Sequence, residues 1–197
     1  MWEKLRQIFK VKDLRNKIIF VVAMLVVFRL AAHVPVPGVN AENLKSFLEG
    51  NQILGLLNIF SGGTMENFSI IMLGVSPYIT ASIIFQLLGM IIPSLEELNK
   101  EGEAGRQKVN MWTRIATVPL ALLQSFGMIK LLSSAQYNII PDLSSARMLT
   151  MMVTITAGTL FLMWIGELIT EKNIGNGVSL LIFAGIVASL PKAVQGF

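Results

Sequence analysis

The sequence has little of what enzymes and secreted domains use. Its 197 residues include no cysteine and a single histidine, His33, which excludes disulfide bonds, thiolate chemistry and a histidine-based metal site. Charged residues make up 14% of the chain and hydrophobic residues 53%, whereas a typical soluble domain has about 25% charged residues. No pair of acids, phosphate-binding loop or nucleophile motif occurs, which predicts that the protein is not an enzyme and carries no cofactor. The composition predicts a membrane protein.

Long apolar runs dominate the rest of the chain. A helix needs about 20 apolar residues to cross a hydrocarbon core of about 30 Å. Five windows satisfy this requirement, at residues 18–34, 68–92, 112–132, 148–169 and 178–194. We therefore predict an all-α polytopic membrane protein with five transmembrane helices. A cleaved signal peptide is the alternative for the first window, but AAHVPVPG is a poor cleavage site and four more windows follow.

The first 17 residues differ from the rest of the chain. They hold six Lys and Arg residues, and four large apolar residues can share one helix face, namely Trp2, Leu5, Ile8 and Phe9. This pattern predicts a short amphipathic segment at the membrane surface over residues 1–17, followed by a five-helix unit over residues 18–197.

The placement of positive charge along the chain predicts its orientation in the membrane. The N-terminal segment, the loop of about residues 94–111 with its continuation to Arg114, and the loop after the fourth window hold eleven Lys and Arg residues. The connections on the opposite side hold four. Because cytoplasmic loops carry the excess of positive charge, the N-terminus and these two loops are predicted to be cytoplasmic.

The connection between the fourth and fifth windows is short. The glycines on either side of Asn176 predict a very tight turn, so the two helices should be antiparallel neighbours. Glu167 and Lys172 lie near this end of the fourth window, and we predict an interfacial ion pair between them.

Residues 53–93 combine a broken apolar segment with a long one. The run ILGLLNIF at 53–60 would rise only about 12 Å as a helix before SGG ends it, so it cannot cross a core of about 30 Å. Irregular backbone at membrane depth persists only where protein buries it or where it lines a watery cavity. The segment therefore predicts a cavity, and so transport. In the following helix Pro77 predicts a kink, with Ser76 or Thr80 able to satisfy the carbonyl that it frees.

The same helix carries an aliphatic stripe. Val75, Ile79 and Ile83 recur every four residues and therefore share one helix face. On periodicity alone, contact with lipid or with a neighbouring helix is the favoured interpretation. Small residues beside the stripe permit another helix to approach closely.

Several long strings then resemble one family. They are HVPVPGV at 33–39, NIFSGG at 58–63, LGVSPYITASIIFQLL at 73–88, KEGEAGRQKVNMWTR at 100–114 and GELITEKNIGNGVSLLIFAGIV at 166–187. In this order they resemble the N-terminal half of the SecY family, the pore subunits of the Sec protein-translocation channel. The resemblance extends over essentially all 197 residues. It implies a central channel subunit that passes secretory polypeptides across the membrane and releases membrane-protein helices sideways.

The resemblance also implies roles for individual residues. A plug at about residues 54–64 would close the channel on its external side, through Leu54, Leu56, Leu57, Ile59, Phe60, Ser61, Gly62 and Gly63. A ring of apolar side chains would form the constriction, namely Val75, Ile79, Ile83, Val178 and Ile182. A lateral gate would have one wall around Ser76, Thr80 and Ser82.

The family has about ten spans in two inverted halves, so the resemblance implies a C-terminal half supplied by another segment or chain. It further implies a translocating polypeptide with its signal sequence as a partner. The other implied partners are a small single-span SecE-type subunit, a SecG-type subunit, and a SecA-type ATPase or the ribosome. The expected site is the bacterial plasma (inner) membrane, in contact with membrane lipid, with no nucleic acid except through the ribosome. The alternative is half of an inverted-repeat secondary transporter for a small solute.

Overall fold

The computed structural model describes residues 11–51, 58, 61, 63–135, 139–141 and 143–195, with the backbone alone for residues 49 and 189–195. All regular secondary structure within these ranges is helical, which confirms the predicted all-α class. The described ranges contain seven helices with defined bounds: α1 (Lys12–Ala31), α2 (Ala41–Glu49), α3 (Ser76–Ile91), α4 (Pro93–Lys100), α5 (Glu103–Ser133), α6 (Ser145–Glu171) and α7 (Gly177–Gln195).

Two of these helices are long and apolar enough to cross a membrane by themselves. They are α5, with 31 residues, and α6, with 27 residues. The pair α3 and α4 is a third candidate if it counts as one span, although the two helices are bent by 103° at their junction. Among the described residues α1 and α7 do not combine the same length and apolar character. Five spans therefore remain a prediction, of which α5 and α6 are the clearest members.

In the second predicted span, the helix is shorter than the apolar segment from which the span was predicted. The prediction began at residue 68, whereas α3 begins at Ser76 and residues 64–75 form consecutive turns. Phe68 and Gly74 have φ angles of 43° and 59°, which lie in the left-handed region and interrupt a right-handed helix. The start at residue 68 was wrong because apolar character alone does not specify the backbone conformation.

Pro77 does not kink α3. It lies in the first turn of the helix, where its missing N–H is not needed, so the predicted kink at this position was wrong. The sharp bend occurs at the other end, where Pro93 begins α4 and holds Ile92 in an extended conformation (φ −98°, ψ 113°). The Thr80 Oγ1 donates to the Ser76 carbonyl at 3.0 Å and not to the Leu73 carbonyl that Pro77 leaves without its helical partner. The Leu73 carbonyl instead accepts the Ser76 N–H at 3.3 Å, so the predicted role of the hydroxyl was wrong.

The first long helix continues through the predicted boundary at residues 17 and 18. α1 begins at Lys12, and no glycine or proline interrupts it. Lys17 Nζ lies 3.0 Å from Asp13 Oδ2, one helical turn away, and such a pair favours the helix in this polar stretch. The predicted surface segment therefore joins α1 at its C-terminal end, while residues 1–10 lie outside the described residues.

The turns of residues 64–75 are held against the exit of α1. The Ile70 N–H donates to the Val34 carbonyl at 3.0 Å. The buried Ser69 hydroxyl donates to the Ala31 carbonyl at 2.9 Å. These bonds supply partners for backbone groups that a regular helix would otherwise satisfy, which allows an irregular segment to be buried.

Helix α6 covers the other side of this segment. A Cβ atom added to Gly158 would lie 2.0 Å from the Ile70 carbonyl oxygen, so only glycine permits the approach. Gly158 is buried, and the neighbouring Ile155 and Leu162 are also buried in the core. The segment that leads into α3 is thus enclosed between α1 and α6.

The predicted tight connection between α6 and α7 is confirmed. A Cβ atom added to Gly177 would lie 1.9 Å from the Gly166 carbonyl oxygen. The Thr170 hydroxyl donates to that same carbonyl at 2.8 Å and accepts the Gly177 N–H at 2.9 Å. This arrangement fixes the first turn of α7 beside the end of α6.

Substitution of Gly158 by alanine is expected to destabilise the protein by about 1–3 kcal/mol or more, because a fixed backbone carbonyl occupies the space for the new Cβ. Gly127→Ala in α5 is the matched control, since no atom lies within 4 Å of its added Cβ. Unfolding in detergent would measure both variants. Equal stability of the two would contradict the close contact between α6 and residue 70.

Candidate functional site

Two cavities are each lined by α3, α5, α6 and α7. The first, called the polar cavity here, has a volume of about 650 Å³. Its polar lining consists of Tyr78, Ser82, Gln86, Asn110, Arg114, Glu167, Thr170, Glu171, Asn176 and Ser179. The second, the apolar cavity, has a volume of about 580 Å³. Its large apolar residues are Phe28, Met65, Met72, Leu73, Val75, Ile79, Met128, Leu131, Leu162, Leu181 and Ile182.

The packing order of the helices explains why these cavities form. Among the described residues, α3 packs on α5, α5 on α6, and α6 on α7, whereas α3 and α7 share no extensive contact. The two end members of this series therefore face each other across open space. Side chains of α3 and α7 line both the polar and the apolar cavity in that space.

Two of the five predicted ring residues lie between the cavities. Ile79 of α3 and Ile182 of α7 line both of them. Val75 lines the apolar cavity only, and Ile83 and Val178 line the polar cavity only. The predicted ring residues thus extend from the apolar cavity, through the two residues shared by both cavities, to the polar cavity. The fold brings together two segments that are about 100 residues apart in sequence.

The five predicted ring residues differ in how deeply they are buried. Val75 is buried, and it belongs to an apolar cluster against which Ile79, Val178 and Ile182 pack while they remain partly exposed. Ile83 is 50% exposed and lies at the edge of this group. Ile79, Val178 and Ile182 therefore keep part of their surface accessible beside the cavities that they line, whereas Val75 is buried at the wall of the apolar cavity.

An ion pair spans the wall of the polar cavity. Arg114 Nε of α5 contacts Glu167 Oε1 of α6, and the glutamate side chain is only 19% exposed. The predicted partner of Glu167 was therefore wrong. Lys172 instead lies over the ring of Phe20 in α1, with its Nζ 4.8 Å from the ring centroid. Lys172 caps the end of α6 five residues beyond Glu167, so it faces a different neighbour.

One end of the predicted plug reaches the apolar cavity. Ser61 lines this cavity, and its hydroxyl donates to the Asn58 carbonyl at 2.9 Å. The N–H of Gly63, whose φ angle is 78°, donates to the same carbonyl at 2.8 Å. Asn58 Oδ1 also accepts the Glu66 N–H at 3.0 Å, so one asparagine organises the turn. The other predicted plug positions lie outside the described residues, namely Leu54, Leu56, Leu57, Ile59, Phe60 and Gly62.

The predicted gate residues lie on different sides of α3. Ser76 lines the apolar cavity, and Ser82 lines the polar cavity, where its hydroxyl accepts a hydrogen bond from Gln86 Nε2 at 3.2 Å. Thr80 lines neither cavity. Their role in a lateral gate remains a prediction.

The sequence patterns did not single out most of the polar lining. Gln86 and Asn110 carry no sequence signal that marks them as lining residues, whereas Ser82 and Glu167 were singled out for other reasons, as a gate residue and as a member of an ion pair. Among the described residues, no group of three or more His, Cys, Asp or Glu side chains could hold a metal ion.

Comparison with known proteins gives a consistent result. The SecY family model matches residues 69–197. The protein translocase subunit SecY of Halalkalibacterium halodurans is 46% identical over 99% of this chain and 45% of its own length. The same subunit of Pseudomonas aeruginosa is 47% identical over 92% of this chain and 41% of its own length. That of Streptomyces galbus is 46% identical over 94% of this chain and 45% of its own length.

The relatives match almost the whole of this chain, whereas the chain spans about half of their length. The earlier resemblance is thereby confirmed, and the apolar helices agree with a membrane-embedded protein. The chain belongs to the SecY family.

Proposed function

We propose that this chain forms one half of a protein-conducting channel, with an apolar constriction that an extended polypeptide crosses. The observation that carries the proposal is the position of Ile79 and Ile182, which line both the polar and the apolar cavity. A polypeptide that moves from one cavity to the other would pass these two side chains. The names of the relatives, protein translocase subunits, support the same substrate class.

The apolar side chains of the constriction would let polypeptides pass whatever their amino-acid sequence. Ile79, Ile182 and Val75 offer no hydrogen-bonding group, so they bind no particular side chain of a passing polypeptide. A narrow aliphatic ring also disfavours a continuous water column, and ions do not cross where water is expelled. The same residues therefore allow a polypeptide to pass while they restrict ion leak.

The plug and the gate complete this proposal. Residues 54–64 would close the apolar cavity, since Ser61 already lies at its wall. Ser76, Thr80 and Ser82 would lie on the wall of α3 that opens sideways to lipid for signal sequences and membrane helices. Helix α3 would thus contribute to both the constriction and the gate, from different sides of the helix.

The remaining parts of the channel would come from other segments. A C-terminal half would supply the opposing wall, because the relatives are about twice as long as this chain. SecE-type and SecG-type subunits, and a SecA-type ATPase or the ribosome, would assemble with it in the bacterial plasma membrane. The N-terminus would be cytoplasmic. The chain would conduct polypeptides and catalyse no reaction.

The small-solute transporter is the less favoured function. A transporter of this kind places ionisable groups at its substrate site near the middle of the membrane. Among the described residues, the charged groups Arg114, Glu167 and Glu171 line the polar cavity alone. None of them lines the apolar cavity, whereas Ile79 and Ile182 line both cavities.

Cysteines introduced at Ile79 and Ile182 are expected to crosslink to a secretory chain stalled in the full complex. Phe183→Cys is the matched control, because Phe183 neighbours Ile182, is 65% exposed and lines neither cavity. This chain has no native cysteine, so each introduced thiol is its only one. Crosslinking would be quantified by gel shift. A yield at Phe183 as high as at Ile182 would contradict the constriction.

The double variant Ile79→Asn with Ile182→Asn is expected to raise ion conductance of the resting channel at least several-fold, because amide groups favour a continuous water column. The pair Ile79→Val with Ile182→Val keeps aliphatic side chains and should change conductance little. Planar-bilayer recordings of the full complex would measure both. Equal conductance in the two double variants would argue against a seal at this level.

Deletion of residues 56–63 is expected to increase resting conductance, since it removes the predicted plug from the apolar cavity. The control is Ser61→Ala, which loses one hydroxyl bond to Asn58 but keeps the apolar residues of the segment. Conductance of the deletion variant equal to that of Ser61→Ala would show that another segment seals the channel.

A further inference from the structure

Methionine is concentrated around the irregular segment that leads into α3. The chain has eleven methionines. Six of them pack in one hydrophobic cluster with that segment, namely Met65, Met72, Met128, Met148, Met151 and Met152. The thioether side chain is flexible and apolar, so it fills irregular gaps well. It is also a side chain that oxidants convert from apolar to polar, which gives this cluster a chemistry that the proposed constriction and gate do not use.

Three of these methionines line the apolar cavity, and they differ in their access to it. Met65 and Met72 are buried, with 7% and 3% of their surface exposed. Met128 of α5 is only partly buried. The preceding residue, Gly127, lines the same cavity, and no atom lies within 4 Å of a Cβ added there. The wall beside Met128 is therefore open, so a small molecule in the cavity can approach this side chain.

The surroundings of Met128 are unfavourable for a polar group. Most side chains that line this cavity are apolar, including Leu131 one turn further along α5. A methionine sulfoxide carries a strong hydrogen-bond acceptor in place of the thioether. Burying such a group without a partner costs free energy, so a sulfoxide at this position would draw water into the cavity. An added oxygen atom would therefore weaken an apolar seal.

The position of Met128 along α5 decides from which side an oxidant arrives. Arg114, near the start of the helix, lines the polar cavity, whereas Met128 lines the apolar cavity. In the proposed orientation the start of α5 is cytoplasmic, so Met128 lies toward the external side. The thiol reductants of the cytosol do not act on that side.

We propose that Met128 is a site of reversible oxidation that controls how tightly the apolar cavity is sealed. This inference rests on the proposed channel function. Hydrogen peroxide or hypochlorous acid transfers one oxygen atom to the thioether sulfur: an S–O bond forms while the O–O or O–Cl bond breaks. The sulfur is oxidised by two electrons, and the oxidant is reduced to water, or to chloride with release of a proton. Methionine sulfoxide reductases reverse the change.

The test uses the full channel complex in planar bilayers, with hydrogen peroxide added on the external side. Peptide mass spectrometry would measure sulfoxide at Met128, and resting ion conductance would be recorded in parallel. Oxidation should raise the conductance several-fold. Met128→Leu keeps an apolar side chain of similar volume and should remove most of this rise. Met90→Leu is the matched control, since Met90 is 78% exposed and lines neither cavity, and it should retain the rise.

Methionine sulfoxide reductases added to the oxidised complex should return the conductance toward its starting value. The proposal is overturned if Met128 gains no sulfoxide under conditions that oxidise Met90, or if Met128→Leu keeps the full rise. A rise that the reductases do not reverse would place the damage elsewhere and would also overturn it.

The double variant Ile79→Asn with Ile182→Asn separates this inference from the proposed function. If that variant conducts and the oxidised complex does not, the role of Met128 fails while the apolar constriction stands. If neither conducts, the apolar seal itself is wrong.

Discussion

The rest of the structure depends on satisfying the irregular backbone of residues 64–75. Inside a membrane protein, unpaired N–H and C=O groups are costly because no bulk water can replace the missing partners. The exit of α1 supplies these partners, as in the bond from the Ile70 N–H to the Val34 carbonyl. Gly158 lets α6 enclose the segment from the other side. This arrangement fixes Val75 and the first turn of α3, and with them one wall of the proposed pore.

The packing order of α3, α5, α6 and α7 leaves space between the first and the last of these helices. Because α3 and α7 are the two end members of the series, their facing side chains line open space instead of filling a core. Polar and charged groups gather in one cavity and aliphatic groups in the other, with Ile79 and Ile182 between them. The pair of Arg114 and Glu167 joins α5 to α6 in the polar wall, so the charges there are neutralised where they are partly shielded from water.

Sequence patterns predicted the helical class, the two longest spans and the tight turn before α7, since apolar length and glycine placement are local properties. They were wrong about the start of α3, the kink at Pro77 and the partner of Glu167. Each of these depends on groups distant in the chain or on backbone angles that hydropathy does not encode. Phe68, for example, is as apolar as its neighbours, yet its φ angle of 43° ends any helix at that point.

The sequence by itself determined that this is a membrane protein of the SecY family, because composition and long matching strings need no coordinates. It also predicted that Val75, Ile79 and Ile83 share one helix face, since the spacing of four residues is fixed by helix geometry. Ile79 and Ile83 do lie four residues apart in α3, whereas Val75 precedes its first residue. Only the tertiary structure decided that α3 and α7 face each other across a gap, and that Ile79 and Ile182 line both the polar and the apolar cavity. The physical reason is that periodicity specifies a face, whereas the packing of α5 and α6 specifies what lies opposite it.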